Sequence, residues 1–182
     1  GGGGHSREIL GRLGPEGKLF GFDQDSDALK NAIDDDRFVL INNNFRYLKR
    51  FLRFYGHDTV DGILGDFGVS SHQFDVAERG FSTRFDADLD MRMDRDGALS
   101  AQTVVNEYGE KELQKVFAEY GELRNAAALA RTIVEARKND TIKTTVELKE
   151  VLQRFLPPHR QHKILAQIYQ AIRIEVNQEL ES

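Results

Sequence analysis

Cysteine is absent from this chain of 182 residues. Its absence excludes disulfide bonds, thiolate metal sites and cysteine nucleophiles, and because it is compatible with a reducing compartment we expect a cytoplasmic protein. Long apolar runs are also missing, since no stretch approaches the roughly 18 apolar residues of a membrane-spanning helix. The net charge of −5 argues weakly against indiscriminate nucleic-acid binding, although a local basic face is compatible with it.

Clusters of metal-binding side chains are also lacking. The five histidines are scattered, and His159 and His162 have no group of carboxylates beside them in the sequence. We therefore expect no metal site. The chain does have 40% hydrophobic and 30% charged residues, enough for one sizeable core and a smaller satellite domain.

The most informative stretch is residues 60–73, in which an apolar run ends in a carboxylate and then in a loop of small residues. The apolar run, from Val60 to Leu64, predicts a short strand buried in a sheet. Asp66 follows at the carboxyl end of that strand, where open α/β sheets bind their ligands. Asp66 is therefore a candidate functional residue. The alternative interpretation is an Asx-turn in which Asp66 only caps its own loop.

A run of four glycines precedes His5 and a short apolar-periodic segment that stops at Gly14. This pattern predicts a glycine loop that opens a helix. The amides of Gly3 and Gly4 can approach an anionic group closely because glycine has no Cβ, and the helix N-terminus adds partial positive charge. A flexible tail without a function is the alternative interpretation.

Two further predicted strands lead to residues suited to a nucleotide. Residues 18–23 end in Asp23, 18 positions beyond His5, and an acid at about that distance from a glycine loop accepts hydrogen bonds from ribose hydroxyls in nucleotide-binding units. Residues 38–41 lead to Phe45, which can stack on a base or belong to the core. The helices predicted after these strands are residues 24–33, capped by Asp25 or Ser26, and residues 45–55.

This alternation, with a further strand supposed before Gly1, predicts an α/β fold with a parallel sheet and right-handed crossovers. The glycine loop, Asp23, Asn44 with Phe45, and Asp66 then fall at the same edge of the sheet, so we expect them to line one crevice. The polar segment of residues 74–96 follows. A loop this long inside a compact domain is usually functional or disordered, and its interleaved apolar side chains favour anchoring to a surface over disorder. A salt-bridged Ω-loop without a chemical role is the alternative interpretation.

From Ser100 onward the pattern is helical only. The predicted helices are residues 101–108, 110–120, 124–138, 144–155 and 164–180, the fourth opened by a capping box of Thr144 and Glu147. Residues 124–163 carry nine Lys or Arg against four Asp or Glu, a net charge of +5. The helical block is therefore a candidate for contacting phosphates, although ordinary solvated helix faces are the alternative interpretation.

A set of long and unusual strings occurs along the chain in a particular order. The strings are Gly3-Gly4-His5-Ser6, Gly21-Phe22-Asp23, Asp61-Gly62-Ile63, Asp66-Phe67-Gly68-Val69-Ser70-Ser71-His72-Gln73, Ala77-Glu78-Arg79-Gly80-Phe81-Ser82, Leu89-Asp90-Met91-Arg92-Met93-Asp94 and Gln170-Ala171-Ile172-Arg173-Ile174-Glu175-Val176-Asn177. In these strings the chain resembles the bacterial 16S ribosomal RNA (cytosine-N4)-methyltransferases over nearly its whole length.

The resemblance implies a Rossmann-like parallel sheet that binds S-adenosyl-L-methionine, with an inserted all-helical subdomain that binds the substrate. The implied domains are residues 1–98 for the sheet, 99–163 for the helical insertion and 164–182 for a helix that returns to the sheet. The implied reaction methylates N4 of a cytosine of 16S ribosomal RNA in the decoding region of the small ribosomal subunit. The resemblance implies no membrane or metal partner and leaves a homodimer open.

The resemblance also implies roles for single residues. Gly3, Gly4 and His5 would hold the amino-acid end of the cofactor, Asp23 the ribose and Phe45 the adenine, while Asp66 and Gln73 line the pocket near the reacting centre. For His5 and Gln73 only the resemblance supports the assignment. Asp66 and Ser70 are the candidate catalytic residues, because a carboxylate or a hydroxyl can accept the protons of the cytosine amine.

Members of this family have a first strand before the glycines and further strands after the last helix, so we expect this chain to be a fragment with an incomplete sheet. One alternative to a methyltransferase is a non-catalytic nucleotide-sensing or RNA-binding module on the same fold. A dinucleotide-dependent oxidoreductase is less favoured, because the glycine run lacks the spaced Gly-x-Gly-x-x-Gly pattern. The loop after Asp66 retains the side-chain types that methyl transfer can use, which argues against the non-catalytic module.

Overall fold

The structure, a computed structural model, describes residues 2–66, 68, 76, 79–82 and 86–180. The chain forms two compact units. The sheet unit comprises Gly1–His72 with Met93–Arg95 and Ser182, and the helical unit comprises Gln73–Arg92 with Asp96–Glu181. Two of the predicted site residues, Ser70 and Gln73, lie outside the described residues.

Helices and strands alternate along the sheet unit. Its elements are α1 (Gly4–Arg12), β1 (Leu19–Asp23), a 3-10 helix (Ser26–Asn31), β2 (Phe38–Asn42), a second 3-10 helix (Phe45–Tyr47) and α2 (Leu48–Phe54). The strands are parallel, with Leu19 opposite Phe38 and Asp23 opposite Asn42. A parallel pair needs a crossover connection, which residues 24–37 supply. The predicted α/β fold with a parallel, incomplete sheet is confirmed.

Aromatic side chains hold α2 and the turn after it against β1. Phe20 and Phe22 flank Gly21 and therefore point to the same face of the strand. On that face the Phe22 ring lies 5.9 Å from the ring of Phe51, and the Phe20 ring lies 5.4 Å from that of Tyr55, centroid to centroid. Each such aromatic pair contributes about 0.5–1.5 kcal/mol beyond the burial of its apolar area.

Arg37 ties the start of β2 to the end of α1. Its guanidinium donates to the carbonyl of Leu13 at 3.0 Å and forms an ion pair with Asp35 at 2.7 Å. The backbone N–H of Arg37 donates to the same carboxylate at 2.9 Å. These hydrogen bonds, with that of the guanidinium foremost, lower the pKa of Asp35 to about 2.

The strand predicted from Val60 to Leu64 is not formed, and this prediction was wrong. Residues 59–66 form neither helix nor strand, and Ile63 and Leu64 are 74% and 64% exposed. A strand needs a neighbour that takes its backbone hydrogen bonds, and among the described residues β1 pairs only with β2. The apolar run therefore lacks the partner that would turn its strand propensity into a strand.

The helical unit has five α-helices in its described residues. They are α3 (Ala101–Glu107), α4 (Glu110–Glu119), α5 (Ala126–Ala136), α6 (Thr145–Val151), which a 3-10 turn (Gln153–Phe155) follows, and α7 (Gln161–Asn177). α4 packs on α5 and α7, and α7 also packs on α3. These contacts bury the predicted apolar stripes, including Leu113, Phe117, Leu129, Ile133, Ile168 and Ile172. Among the described helices, none has both the length and the apolar character needed to span a bilayer.

The structure groups α7 with the other helices in one compact unit, but this grouping does not test the predicted domain boundaries. Among the described helices, α7 packs most closely on α3 and α4, and Tyr169 of α7 also donates to the carbonyl of Thr145 in α6 at 2.9 Å. The domain boundaries expected for the family, at residues 98 and 163, therefore stay a prediction.

α6 begins with the predicted capping box. Thr144 Oγ1 accepts the backbone N–H of Glu147 at 3.2 Å, and Glu147 Oε2 accepts the backbone N–H of Thr144 at 3.1 Å. Each side chain satisfies a backbone donor that the first helical turn leaves without a partner.

Part of the polar segment before α3 is anchored within the helical unit. Arg79 is only 4% exposed and donates to the carbonyl of Arg92 at 2.9 Å. Met91 is fully buried, and Asn177 of α7 donates to its carbonyl at 2.8 Å. The predicted anchoring is confirmed for these residues, whereas a chemical role for the segment stays a prediction.

Candidate functional site

The candidate site lies at the carboxyl edge of the two strands of the sheet unit. β1 ends at Asp23 and β2 at Asn42, which face each other in the strand register. The side-chain amide of Asn42 donates to the backbone carbonyl of Asp23 at 2.9 Å. Because this bond joins the last residues of the two strands, the loops that follow them start from fixed positions.

Asp23 shapes the loop after β1. Its Oδ1 accepts the backbone N–H of Asp25 at 2.9 Å, and Asp25 in turn accepts the backbone N–H of Asp27 at 3.0 Å. Asp25 therefore caps the following helix, as predicted, although that helix is a short 3-10 helix over Ser26–Asn31. The Asp23 carboxylate is oriented by its own loop and is half-buried at the edge of the sheet.

Phe45 opens the loop after β2, and Asn44 holds that loop in place. Asn44 Oδ1 accepts the backbone N–H of Arg46 at 2.9 Å, and Asn44 Nδ2 donates to Gln24 Oε1 at 3.2 Å. Phe45 is 40% exposed, so it is not a core residue. A partly exposed ring beside a strand end can take a planar ligand against its face.

Gln24, Asn42 and Asn44 shape this edge. Asn44 was expected there beside Phe45, whereas Gln24 and Asn42 were not predicted. The signal for the two asparagines was the run Asn42-Asn43-Asn44, because consecutive amides directly after an apolar strand suit a hydrogen-bonded turn. Gln24 Nε2 also lies 3.3 Å from Met93 Sδ, within the sheet unit. No local pattern in the sequence indicates that contact between distant residues.

The glycine loop leads into α1, as predicted. Gly3 is the N-cap residue with a φ of 73°, in the left-handed region that glycine adopts without strain. Arg7, in the first turn, donates to the carbonyl of Gly2 at 3.0 Å and so orders the loop. No side chain caps this end of the helix, and Gly4 is exposed. The first N–H groups of α1 are therefore accessible to an anionic ligand.

His5 and Asp66 meet beside the start of α1. His5 Nδ1 lies 3.2 Å from Asp66 Oδ2, and the two side chains are 72% and 75% exposed. An exposed pair of this kind contributes at most about 1 kcal/mol, because water and salt screen it. The pair matters because it brings the Asp66 carboxylate to the glycine loop, although the strand predicted before Asp66 is not formed.

The structure thus places the predicted residues in two groups within the sheet unit. Gly3, Gly4 and His5 lie with Asp66 at the start of α1, and Asp23 and Phe45 lie at the carboxyl ends of β1 and β2. Between residues 2 and 180, the described positions include no group of three or more His, Cys, Asp or Glu side chains that could hold a metal ion.

Known proteins with similar sequences share one description. The protein named ribosomal RNA small subunit methyltransferase H of Flavobacterium johnsoniae is 70% identical over 181 residues, and that of Cytophaga hutchinsonii is 54% identical over 184 residues. Each match covers 100% of this chain but only 60% or 61% of the relative. The chain therefore spans about 60% of the length of the curated relatives it matches.

A family model supports the same assignment over the whole chain. The model of the MraW methylase family matches residues 1–182, which include every candidate site residue. The family match and the high identity to curated relatives agree with the parallel α/β arrangement of the sheet unit. The chain belongs to the MraW methylase family.

Proposed function

We propose that the protein is an S-adenosyl-L-methionine-dependent methyltransferase that methylates N4 of a cytosine of 16S ribosomal RNA in the decoding region of the small subunit. Its family and the names of its relatives support methyl transfer to small-subunit ribosomal RNA. The observation that carries the proposal is the contact of His5, at the glycine-led start of α1, with Asp66. A ribosomal substrate also favours a cytoplasmic location.

The chemical groups at this site fit S-adenosyl-L-methionine. The uncapped N–H groups of Gly4 and His5 suit its carboxylate, because the helix dipole favours negative charge there. The Asp23 carboxylate suits the two ribose hydroxyls, and the partly exposed ring of Phe45 suits the flat adenine. Gln73, outside the described residues, is a further proposed contact. When bound, the cofactor supplies an electrophilic methyl group on a sulfonium sulfur.

Asp66 is the residue proposed to act at the reacting centre. The cytosine amine has to present its nitrogen lone pair to the methyl carbon, and acceptors for its two N–H groups favour that orientation. The Asp66 carboxylate is one such acceptor. It is exposed, and its Oδ2 lies 3.2 Å from Nδ1 of His5. The Ser70 hydroxyl and the backbone carbonyls of the same loop are alternatives. In each case the loop positions an unpaired or extruded base and forms no covalent bond with it.

Calorimetric titration with S-adenosyl-L-methionine tests the assignment of the cofactor residues. Asp23→Asn keeps an oxygen for the Asp25 N–H but loses the charge, so we expect the Kd to rise roughly 10- to 150-fold, as for a lost charged hydrogen bond. Asp61→Asn is the matched control, because Asp61 is an exposed carboxylate of the same unit. Equal affinities for the two variants, both folded by circular dichroism, would contradict the proposed role of Asp23.

Transfer of radiolabelled methyl groups to 16S ribosomal RNA tests the activity. We expect the full-length protein to transfer methyl groups. Its Asp66→Asn variant should have a kcat at least about tenfold lower, because the cytosine amine loses a charged acceptor. Cofactor binding without any transfer to naked RNA or small-subunit particles would favour the non-catalytic module. The absence of both binding and transfer in a well-folded protein would contradict the proposed function.

A further inference from the structure

One segment of the helical unit is free of carboxylates. Residues 151–174 contain no Asp or Glu but include four Lys or Arg and two His. The segment runs from the end of α6 through the 3-10 turn and the Pro157-Pro158 turn into α7. Its exposed basic residues are Arg154, His159, Arg160, His162 and Lys163. The fourth cation, Arg173, is half-buried and paired with Glu179 at 2.8 Å.

Within the part of the chain that the structure describes, the exposed cations of this segment lack the carboxylate partners that Lys115 and Lys138 of the same unit have. Lys115 pairs with Glu119 at 3.9 Å, and Lys138 pairs with Glu135 at 2.7 Å. Among the described residues, Arg154, Arg160 and Lys163 have no such carboxylate partner. Arg160 and Lys163 lie three positions apart at the start of α7, a spacing at which like charges repel each other, and an anionic partner removes that repulsion.

Arg154 is held in a defined orientation. Its guanidinium donates to Thr132 Oγ1 on α5 and lies over the ring of Phe155, 4.7 Å from the ring centroid. A guanidinium fixed in this way still has N–H groups for a phosphate, and less side-chain entropy is lost when the phosphate binds. The Phe155 ring is itself only half-buried beside it.

The turn that follows sets the position of the second cation. The backbone N–H of Arg160 donates to the carbonyl of Pro157 at 2.9 Å, and Leu156 is buried with 2% exposure. This tight, anchored connection presents Arg154 before it and Arg160 and Lys163 after it. A held guanidinium on an aromatic ring, followed by further cations, is a combination typical of surfaces that bind single-stranded RNA.

We propose that Arg154, Phe155, Arg160 and Lys163 form a surface, the 154–163 surface, that binds the phosphate backbone of the substrate RNA. The inference rests on the proposed function, because that function makes RNA the partner of this chain. RNA is favoured over an acidic protein because a planar guanidinium matches phosphate oxygens and the adjacent ring offers a face to an unpaired base. The contacts are to the backbone, so they supply affinity and positioning without reading sequence.

The salt dependence of RNA binding tests the 154–163 surface directly. The probe is a fluorescein-labelled single-stranded RNA of mixed sequence, titrated with the protein without cofactor and followed by anisotropy. Each lost phosphate contact lowers the slope of log affinity against log salt by about 0.7, so Arg160→Gln/Lys163→Gln should lower it by about 1.4 and weaken binding roughly tenfold. Arg154→Lys, which keeps the charge but loses the planar fork, should weaken binding with little change in slope.

The matched control removes the same charge elsewhere on the unit. Lys115→Gln/Lys138→Gln replaces two exposed cations, 68% and 62% exposed, and should leave the slope unchanged. Equal slopes for the two double variants, each folded by circular dichroism, would overturn the inference and leave the surface to an acidic protein or to solvent. The RNA probe is titrated without cofactor, so this test does not depend on methyl transfer. A wild-type protein that transfers no methyl groups would instead overturn the proposed function.

Discussion

Replacement of Asn106 by alanine is predicted to destabilise the helical unit by about 2–4 kcal/mol. Asn106 lies near the end of α3 and joins the chain before α6 to that helix. Its Nδ2 donates to the carbonyl of Ile142 at 2.7 Å, and its Oδ1 accepts the N–H of Ile142 at 3.0 Å. Ile142 is 3% exposed, so water has little access to its backbone groups once the amide is removed.

The magnitude follows from the two hydrogen bonds to Ile142. Each contributes about 1 kcal/mol net, and a backbone group left partly without a partner costs about 1–2 kcal/mol, so the two groups of Ile142 account for about 2–4 kcal/mol. The third bond, from Asn106 Nδ2 to the carbonyl of Gln102, adds less because Gln102 is exposed and water can replace the donor. For a unit of roughly 100 residues the Tm should fall by roughly 10–20 °C.

Thermal unfolding followed by far-ultraviolet circular dichroism measures this change. Asn139→Ala is the control, because Asn139 is exposed and its replacement should change stability by less than about 0.5 kcal/mol. A Tm for Asn106→Ala that matches the control would refute the assignment of these bonds.

Two further predictions concern a glycine and a carboxylate. Gly80→Ala should destabilise the helical unit by more than about 2 kcal/mol in urea titrations, because Gly80 has a φ of 69° and an added Cβ would collide with the carbonyl of Asp88. The control is Gly11→Ala, within α1 and in open space, which should stabilise the sheet unit by about 0.5–1 kcal/mol. The Asp35 carboxylate, whose pKa of about 2 lies below its unfolded value, stabilises the sheet unit above about pH 4, and this contribution is lost as the pH falls towards 2. Asp35→Asn should therefore lose less stability over that range in acid titrations, and equal losses would count against the Arg37 pair.

Features that depend on neighbours in the sequence were predicted well. The capping box of Thr144 and Glu147 and the cap at Asp25 involve residues within three positions, so the pattern contains all the partners. The boundaries of α4 and of β2 also agree closely with the prediction, because the apolar periodicity of each is uninterrupted and ends at a polar or glycine residue.

Features that depend on distant partners were predicted less well. The run from Val60 to Leu64 has the residues of a strand, but strand formation depends on a neighbouring strand that no local pattern guarantees. The contact of His5 with Asp66 agrees with the expectation of a common edge, yet it forms without that strand. The roles of all the predicted site residues, Ser70 and Gln73 included, stay predictions that the variants above address.

In the described residues, each strand of the sheet unit pairs along one edge only, and this has a consequence for association between copies of the protein. Within the described residues, β1 and β2 pair only with each other, and Ile63 and Leu64 remain exposed nearby in the sequence. A strand edge without a partner is a template for another strand, and exposed apolar side chains favour the encounter. A strand from the same chain and a strand from a second copy compete for the same backbone groups.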